Sequence, residues 1–409
     1  MAELCRPLAS LVAVLVACAS VSTFQERPRD PASGLEEFVH AERRAQQLPG
    51  LAAVVVRSDG TPLVYVSGER RIGKGDPIKT ADRMHIGSLT KSITATLIAA
   101  LAEKGRMTFE TTIGQTFPEL SPKMQPAYRQ VTVRQLLRHS AGLPTYGTNV
   151  SALPMLALKG TPTEQRYAFL QRVLAEPPRF DPGSSFEYSN AGAAIVGAMA
   201  ERIAGAPYRE LVERLVFAPI GARVAFGNPG LAAEPQPWGH RRIFGAIVEV
   251  QPANPLHTTP LAFEPAGDAS PSLSDIARFL QLYLRGLRDQ DDGLKARSIR
   301  ELQGRRPDGT KRDGAVAWNV MPRDGVESHE HFGSSGAYVA YATIQPSRDV
   351  AVGVFTNLGG DQQLRDAIAR IALRIAARYS TDVESKRQPK PYPLAHNSGM
   401  RVVASTVCR

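Results

Sequence analysis

The chain has 409 residues, of which 43% are apolar and 22% charged, a composition typical of a soluble globular protein with one large domain or two interlocked lobes. The formal net charge is +10, but lysine and arginine are scattered in short clusters such as Arg70-Arg71 and Arg241-Arg242. The interleaving of basic and aromatic residues that is typical of RNA or DNA platforms is missing, so nucleic acid is not an expected partner.

Residues 1–19 are predicted to be a targeting segment, because a basic start at Arg6 precedes an apolar stretch too short for a comfortable membrane span. Leu15-Val16-Ala17-Cys18 is similar to a bacterial lipobox, which would make Cys18 the lipid anchor of a membrane-bound lipoprotein. Ala17-Cys18-Ala19 also fits ordinary signal peptidase, and an uncleaved anchor or a mitochondrial leader is a third alternative. The protein is therefore expected to be exported, either to the periplasm or to a membrane.

The polar residues 20–34 are predicted to be a tether and residues 381–409 a flexible C-terminal tail, which leaves a folded domain over residues 35–380. The three cysteines are Cys5, Cys18 and Cys408. Only Cys408 would remain as a free thiol after processing, so no internal disulfide is expected.

The first predicted elements are an amphipathic helix over residues 35–47, a hairpin of strands 51–56 and 62–66, and a long helix over residues 88–105. A helix-rich region with many prolines follows over residues 107–220.

Later helices are predicted over residues 272–287, 294–303 and 362–379, and strands near 243–250, near 315–321 and in a hairpin of 337–345 with 350–357. The last hairpin is apolar and β-branched, which favours the centre of a sheet. Strands near both ends of the domain with helices between them predict a sheet assembled from distant segments, with one helical lobe and one α/β lobe.

Ser88 and Lys91 stand one helical turn apart at the start of the predicted helix 88–105. Residues three apart share a helix face, so the lysine amine can reach the serine hydroxyl. A serine needs an adjacent proton acceptor to become a nucleophile, and a desolvated lysine can serve as one. The first turn of a helix also offers backbone N–H groups to a developing oxyanion.

Tyr188-Ser189-Asn190 lies where a turn at Pro182-Gly183 leads into a small, apolar helical stretch. The phenol of Tyr188 could exchange a proton with Ser88 if a nearby cation lowers its pKa.

His331-Phe332-Gly333 precedes Ser334 and the central hairpin. A strand beside a bound acyl group can offer a backbone N–H as an oxyanion donor, and Gly333 would allow the close approach. These residues predict a site where the three segments converge at the seam of the two lobes.

Each of these residues also has a structural interpretation. Ser88 could be a helix N-cap, Tyr188 a core aromatic and Asn190 a helix cap. His331 together with His329 could ligate a metal, but no acidic or Cys/His cluster accompanies them, so no metal site is predicted. His139 and Ser140 are interpreted as structural residues that hold the end of a helix.

Ser88-x-x-Lys91, Tyr188-x-Asn190 and His331-x-Gly333 resemble the three motifs of serine β-lactamases and penicillin-binding proteins, in the branch of class C β-lactamases and DD-peptidases. Two further stretches, residues 131–144 and 267–275, are similar to that branch. The resemblance covers about residues 35–379. It implies an α+β, β-lactamase/transpeptidase-like fold, with an antiparallel sheet flanked by helices, an inserted helix-rich lobe and the active site at the seam.

The resemblance further implies a serine hydrolase that needs no cofactor and acts through an acyl-enzyme on a small-molecule or peptidoglycan-type substrate. The protein is expected to be a monomer. Ser88 would be the nucleophile and Lys91 and Tyr188 the proton carriers. Asn190 would orient Lys91 and the substrate, and the backbone N–H groups of Ser88 and Ser334 would hold the oxyanion.

The third motif departs from the family, because His331 stands where β-lactamases usually have lysine. A histidine is only partly charged near pH 7, so carboxylate recognition is expected to be weaker. The sequence therefore favours a hydrolase of D-alanyl peptides or esters, similar to DD-carboxypeptidases and esterases, with β-lactamase activity as an additional capacity. A penicillin-recognising sensor that acylates without turnover and a true class C-type β-lactamase are the alternatives.

Overall fold

The computed structural model describes residues 31–147, 149–304 and 315–379. The predicted leader, Cys18, most of the tether and the C-terminal tail lie outside the described residues. The division of the chain into leader, tether, domain and tail stays a prediction.

The strands within the described ranges are β1 (Gly50–Val56), β2 (Leu63–Gly68), β3 (His240–Ile243), β4 (Ala246–Glu249), β5 (Asn319–Arg323), β6 (Val326–Ser334), β7 (Val339–Gln345), β8 (Val350–Thr356) and β9 (Leu358–Gly359). The α-helices of the same ranges are α1 (Pro31–Ala45), α2 (Thr90–Glu103), α3 (Ile113–Thr116), α4 (Val133–Leu137), α5 (Asn149–Ala152), α6 (Pro162–Val173), α7 (Asn190–Ala204), α8 (Tyr208–Val212), α9 (Glu264–Gly267), α10 (Leu273–Leu287), α11 (Ala296–Leu302) and α12 (Gln362–Tyr379). None of these helices is long and apolar enough to cross a bilayer.

The larger sheet has the strand order β2-β1-β8-β7-β6-β5, and all its neighbouring strands are antiparallel. It joins an early hairpin to strands from the end of the domain, and the β7–β8 hairpin lies in the middle, as the sequence predicts. A smaller sheet, ordered β4-β3-β9, stands beside it. The α+β class with an antiparallel sheet and an inserted helical region is confirmed.

Both faces of the central strands are covered. Along β1, Ala52 and Val54 belong to the large core shared with α2, α7 and α10, whereas Leu51 and Ala53 pack into a second core with α1 and α12. Alternate side chains of a strand point to opposite faces, so a strand buried on both sides is apolar at every position. This explains the continuous apolar runs in β1, β7 and β8.

Some boundaries differ from the prediction. Helix α1 begins at Pro31, four residues before the predicted start. The segment predicted as one strand near residues 243–250 is the β3–β4 hairpin, which turns at Phe244-Gly245. Phenylalanine is not a usual turn residue, so the apolar pattern conceals this turn. Strand β5 begins at Asn319, four residues later than predicted.

Candidate active site

Ser88 lies on a tight turn that leads into α2. Residues Gly87–Leu89 form one turn of 3₁₀ helix, and the backbone continues directly into α2 at Thr90. Gly87 has φ +51°, and a Cβ placed on it would lie 2.5 Å from the backbone nitrogen of Ser334. Only glycine fits there, because a side chain would collide with the strand that faces the nucleophile. The predicted helix 88–105 is therefore a short 3₁₀ turn followed by α2.

Lys91 lies on the first turn of α2 and is buried, with 6% of its surface exposed. Its Nζ is 3.1 Å from Ser88 Oγ, 2.7 Å from Asn190 Oδ1 and 2.6 Å from the carbonyl oxygen of Ala266. Burial lowers the pKa of the Lys91 amine, while the nearby Tyr188 acts in the opposite direction. The environment thus favours the neutral amine more than water would.

The three neighbours define the chemistry of this amine. The amide of Asn190 donates through Nδ2 to the carbonyl oxygen of Tyr146 at 2.7 Å, so its Oδ1 faces Lys91 as an acceptor. The carbonyl of Ala266 can only accept. When the amine is neutral it has two N–H donors and one lone pair, so donation to these two oxygens would leave the lone pair facing Ser88 Oγ. The role of Lys91 as the general base stays a prediction.

Tyr188 approaches Ser88 from the other side. Its Oη lies 2.6 Å from Ser88 Oγ, and Lys91 Nζ lies 4.9 Å from the centre of its ring. Tyr188 immediately precedes Ser189, the N-cap of α7, whose hydroxyl accepts from Ala191 N–H and donates to the carbonyl oxygen of Pro144. The cap fixes the start of α7 and with it the direction in which Tyr188 points.

His139 contributes more than its sequence interpretation suggested. It follows α4 and has φ +57°, and its Nδ1 accepts a 3.2 Å hydrogen bond from the Ser189 N–H. Its ring lies 4.6 Å from the ring of Tyr188, so it also forms a wall of the site. The half-buried position of His139 and the charge of Lys91 lower its pKa to about 3, so the imidazole is neutral at pH 7. The contact between Tyr188 and His139 depends on tertiary structure, so a local sequence pattern does not predict it.

The end of β6 closes the site opposite α2. A Cβ on Gly333 would lie 1.9 Å from the carbonyl oxygen of Ile86, so this strand passes directly over the Ser88 turn. The backbone nitrogen of Ser334 is next to Gly87, one residue before the nucleophile. The close approach predicted for Gly333 was to a bound acyl group, and it stays a prediction. The assignment of the Ser88 and Ser334 N–H groups as oxyanion donors stays a prediction.

His331 stands on the face of β6 that looks toward α2, because its neighbour Phe332 packs on the opposite face near Arg365. The Nδ1 atom of His331 lies 2.9 Å from the carbonyl oxygen of Phe332. The ring of His331 contacts that of Trp318 edge to face, with the ring centres 5.8 Å apart. The half-buried position of His331 and the charge of Lys91 lower its pKa to about 4. The partial charge expected from sequence is therefore removed, and the position is neutral at pH 7.

Two residues of the site, Ala266 and Trp318, belong to none of the sequence motifs. Ala266 acts through its backbone carbonyl, which carries no side-chain signature. Trp318 precedes β5 in sequence and reaches His331 only through the fold. In the described part of the chain, no group of three or more His, Cys, Asp or Glu side chains is placed to hold a metal ion. His329 is instead buried, 3.1 Å from Gln303 Oε1.

Comparison with known proteins places this geometry in a family. Residues 35–377 match the family described as Beta-lactamase. The chain is 24% identical over 347 residues to penicillin-binding protein 4 of Amycolatopsis lactamdurans, covering 81% of this chain and 86% of that protein. It is 26% identical over 201 residues to esterase EstB of Burkholderia gladioli, covering 47% of this chain and 50% of that protein.

Solved structures share the fold. The D-amino acid amidase of Ochrobactrum anthropi SV3 superposes with a TM-score of 0.66 at 20% identity, covering 86% of this chain and 97% of the amidase. The octameric penicillin-binding protein homologue from Pyrococcus abyssi gives a TM-score of 0.66 at 24% identity, covering 84% of this chain and 77% of the homologue. The monomeric state expected for this chain stays a prediction. With the family match over most of its length, the chain belongs to the Beta-lactamase family and is a serine hydrolase of the acyl-transfer type.

Proposed function

We propose that this hydrolase cleaves esters or D-alanyl peptides through an acyl-enzyme on Ser88, and that it prefers esters and other acyl compounds without a free carboxylate. The observation that carries this preference is that residue 331 is a histidine, where β-lactamases usually have lysine, on the face of β6 that looks toward α2. Both penicillins and peptides that end in D-alanine present a carboxylate near the scissile bond. At this position an imidazole with a pKa of about 4 offers no positive charge to bind that carboxylate.

The reaction would begin with attack of Ser88 Oγ on the substrate carbonyl. The hydroxyl proton passes to Lys91 or Tyr188, whose polar atoms lie 3.1 and 2.6 Å from Oγ. Neutral lysine with phenol and ammonium with phenolate contain the same number of protons, so the two groups act as one coupled base. The proton is then returned to the departing alcohol or amine, and water attacks the acyl-enzyme to regenerate Ser88.

The substrate preference is tested with matched pairs of compounds. Purified protein is assayed against p-nitrophenyl esters, nitrocefin, and one D-alanyl-D-alanine peptide as both the free acid and the C-terminal amide. We expect the esters to give the highest kcat/KM and the amide to exceed the free acid. A tenfold preference for the free acid or for nitrocefin would contradict the proposed role of His331.

The same assay separates the alternatives. A burst of acylation without turnover would identify a penicillin-recognising sensor, and efficient nitrocefin turnover a class C-type β-lactamase. Ser88→Ala serves as the reference, because it removes the nucleophile and should abolish both the burst and the turnover.

We also propose that the protein is exported and anchored through Cys18. Support comes from the sequence of the first nineteen residues alone. Metabolic labelling with palmitate in a bacterial host would show incorporation that Cys18→Ala removes. Labelling that persists in the variant would refute the anchor.

A further inference from the structure

The β3–β4 hairpin, residues 240–249, collects exposed apolar side chains. Among the described residues, eight large hydrophobic side chains are exposed. Four of them lie on or beside this hairpin, namely Ile72, Ile243, Phe244 and Val248. Ile243 and Val248 share one face of the hairpin, Phe244 is at its tip, and Ile72 borders the groove on the other face. Scattered single apolar residues are normal on a protein surface, but half of the exposed ones surround this one hairpin.

Phe244 at the tip is unfavourable in two ways. It is fully exposed, and its φ of +49° is in the left-handed region that bulky residues avoid. With Gly245 at φ +84°, it forms a two-residue hairpin loop for which Asn-Gly is the favoured pair. An aromatic residue held there, against both its backbone preference and its solvation, indicates a contact outside the chain.

The surroundings of the tip are basic. Arg241 and Arg242 are exposed on β3, and a shallow groove beside the tip is lined by Arg43, Arg44 and Arg242 together with apolar atoms of Ile247. The guanidinium of Arg242 reaches Gln47 Oε1 at 3.2 Å. The acidic residue of the hairpin, Glu249, is engaged by Arg71 at 2.8 Å. The surface around Phe244 therefore complements an anionic partner.

We propose that the β3–β4 hairpin docks on the surface of an anionic lipid bilayer, with Phe244 and Ile243 in the interfacial region and the arginines at the lipid phosphates. A convex apolar tip flanked by arginines is suited to shallow insertion between headgroups. It is poorly suited to a stable protein interface, which buries about 800 Å² on each partner.

The base of the hairpin is firmly attached. β3 pairs in parallel with β9, and the buried His240 is bonded to the carbonyl oxygen of Asn357 and to the N–H of Ile72. Gly239 packs so closely that a Cβ there would lie 2.5 Å from the side chain of Ala337. The tip therefore keeps one orientation relative to the larger sheet, and docking would orient the whole domain on the membrane.

The test places a reporter at the tip. The full-length Phe244→Trp chain is mixed with vesicles of phosphatidylglycerol and phosphatidylcholine, with and without brominated acyl chains, and its fluorescence is compared with that of the parent chain. We expect a blue shift and quenching by the brominated lipid beyond the parent's signal, and neither with phosphatidylcholine alone. Because every variant carries the same N-terminal segment, any binding by that segment is common to all of them.

Matched variants measure the contribution of each group. Phe244→Asn creates the favoured Asn-Gly turn, so it should fold well while its vesicle partitioning falls roughly tenfold. Arg241→Gln with Arg242→Gln should lower partitioning at low salt by roughly tenfold. Leu231→Asn removes another exposed apolar residue and should change nothing. Unchanged binding by Phe244→Asn, absent quenching of the tryptophan, or a Phe244-dependent dimer without quenching would each overturn the proposal.

Discussion

The two walls of the active site differ in polarity: one holds a hydrogen-bonded amine and the other an uncharged imidazole. On the wall formed by α2 and α7, the Lys91 amine lies within hydrogen-bond distance of Ser88, Asn190 and the Ala266 carbonyl. On the wall formed by β6, His331 is uncharged at pH 7 and packs edge to face against Trp318. Under the proposed function, the α2–α7 wall would perform the acyl transfer and the β6 wall would select which acyl compounds are bound.

Removal of the Lys91 amine should have the largest effect on catalysis. Lys91→Met keeps much of the buried aliphatic volume but removes the base, so we expect acylation to slow by about 10³-fold or more. The rate is measured as the stopped-flow burst with a p-nitrophenyl ester.

Lys104→Ala is the matched control for this variant. Lys104 caps the other end of α2 and is exposed, so its loss removes a positive charge without touching the site. A wild-type burst in Lys91→Met would show that Tyr188 suffices as the base and would end the assignment of Lys91.

The next effect concerns His139, a positioning residue for Tyr188. His139→Ala removes both the ring beside Tyr188 and the acceptor for the Ser189 N–H, so we expect kcat to fall by roughly 10- to 100-fold with KM little changed. Asparagine tolerates a positive φ and retains a side-chain acceptor, so His139→Asn should recover part of kcat. Equal loss in both variants, with the same fall in melting temperature, would indicate a purely structural role.

A smaller change should follow when the β6 wall is given a charge. His331→Lys is expected to raise the ratio of kcat/KM for the free-acid peptide over its amide by roughly tenfold, because an ammonium can pair with the carboxylate. His331→Gln adds no charge and should leave the ratio as it is. If His331→Lys also leaves the ratio unchanged, then this position does not contact the substrate carboxylate.

The sequence predicts the parts of this comparison that depend on local pattern. Ser88 and Lys91 share a helix face, Gly333 permits a close strand, and the apolar runs of β7 and β8 belong to a doubly covered sheet. These features follow from helical spacing, from the absence of a Cβ and from burial.

Tertiary contacts determine the rest. The carbonyl of Ala266, which accepts a hydrogen bond from Lys91, is 175 residues away in the chain. His139 and Tyr188 also come from separate segments, and their rings meet only in the folded protein. The pKa of His331 is shifted from the ordinary histidine value by its surroundings and by the charge of Lys91. These contacts join elements that are far apart in the chain, so local sequence patterns do not predict them.

The smallest expected effect is on stability at acid pH. The folded-state pKa values of about 4 for His331 and about 3 for His139 are below the ordinary histidine value of 6.5. The unfolded chain therefore binds more protons between these values, so stability should fall as pH falls below about 6.5. For each imidazole, the free energy of unfolding can change by at most about 1.4 kcal/mol per pH unit. Melting temperatures measured from pH 7 to pH 5 should decline less steeply in His331→Gln than in the parent. Parallel curves for the parent and His331→Gln would mean that His331 protonates readily in the folded protein, and the β6 wall would then be charged in mild acid.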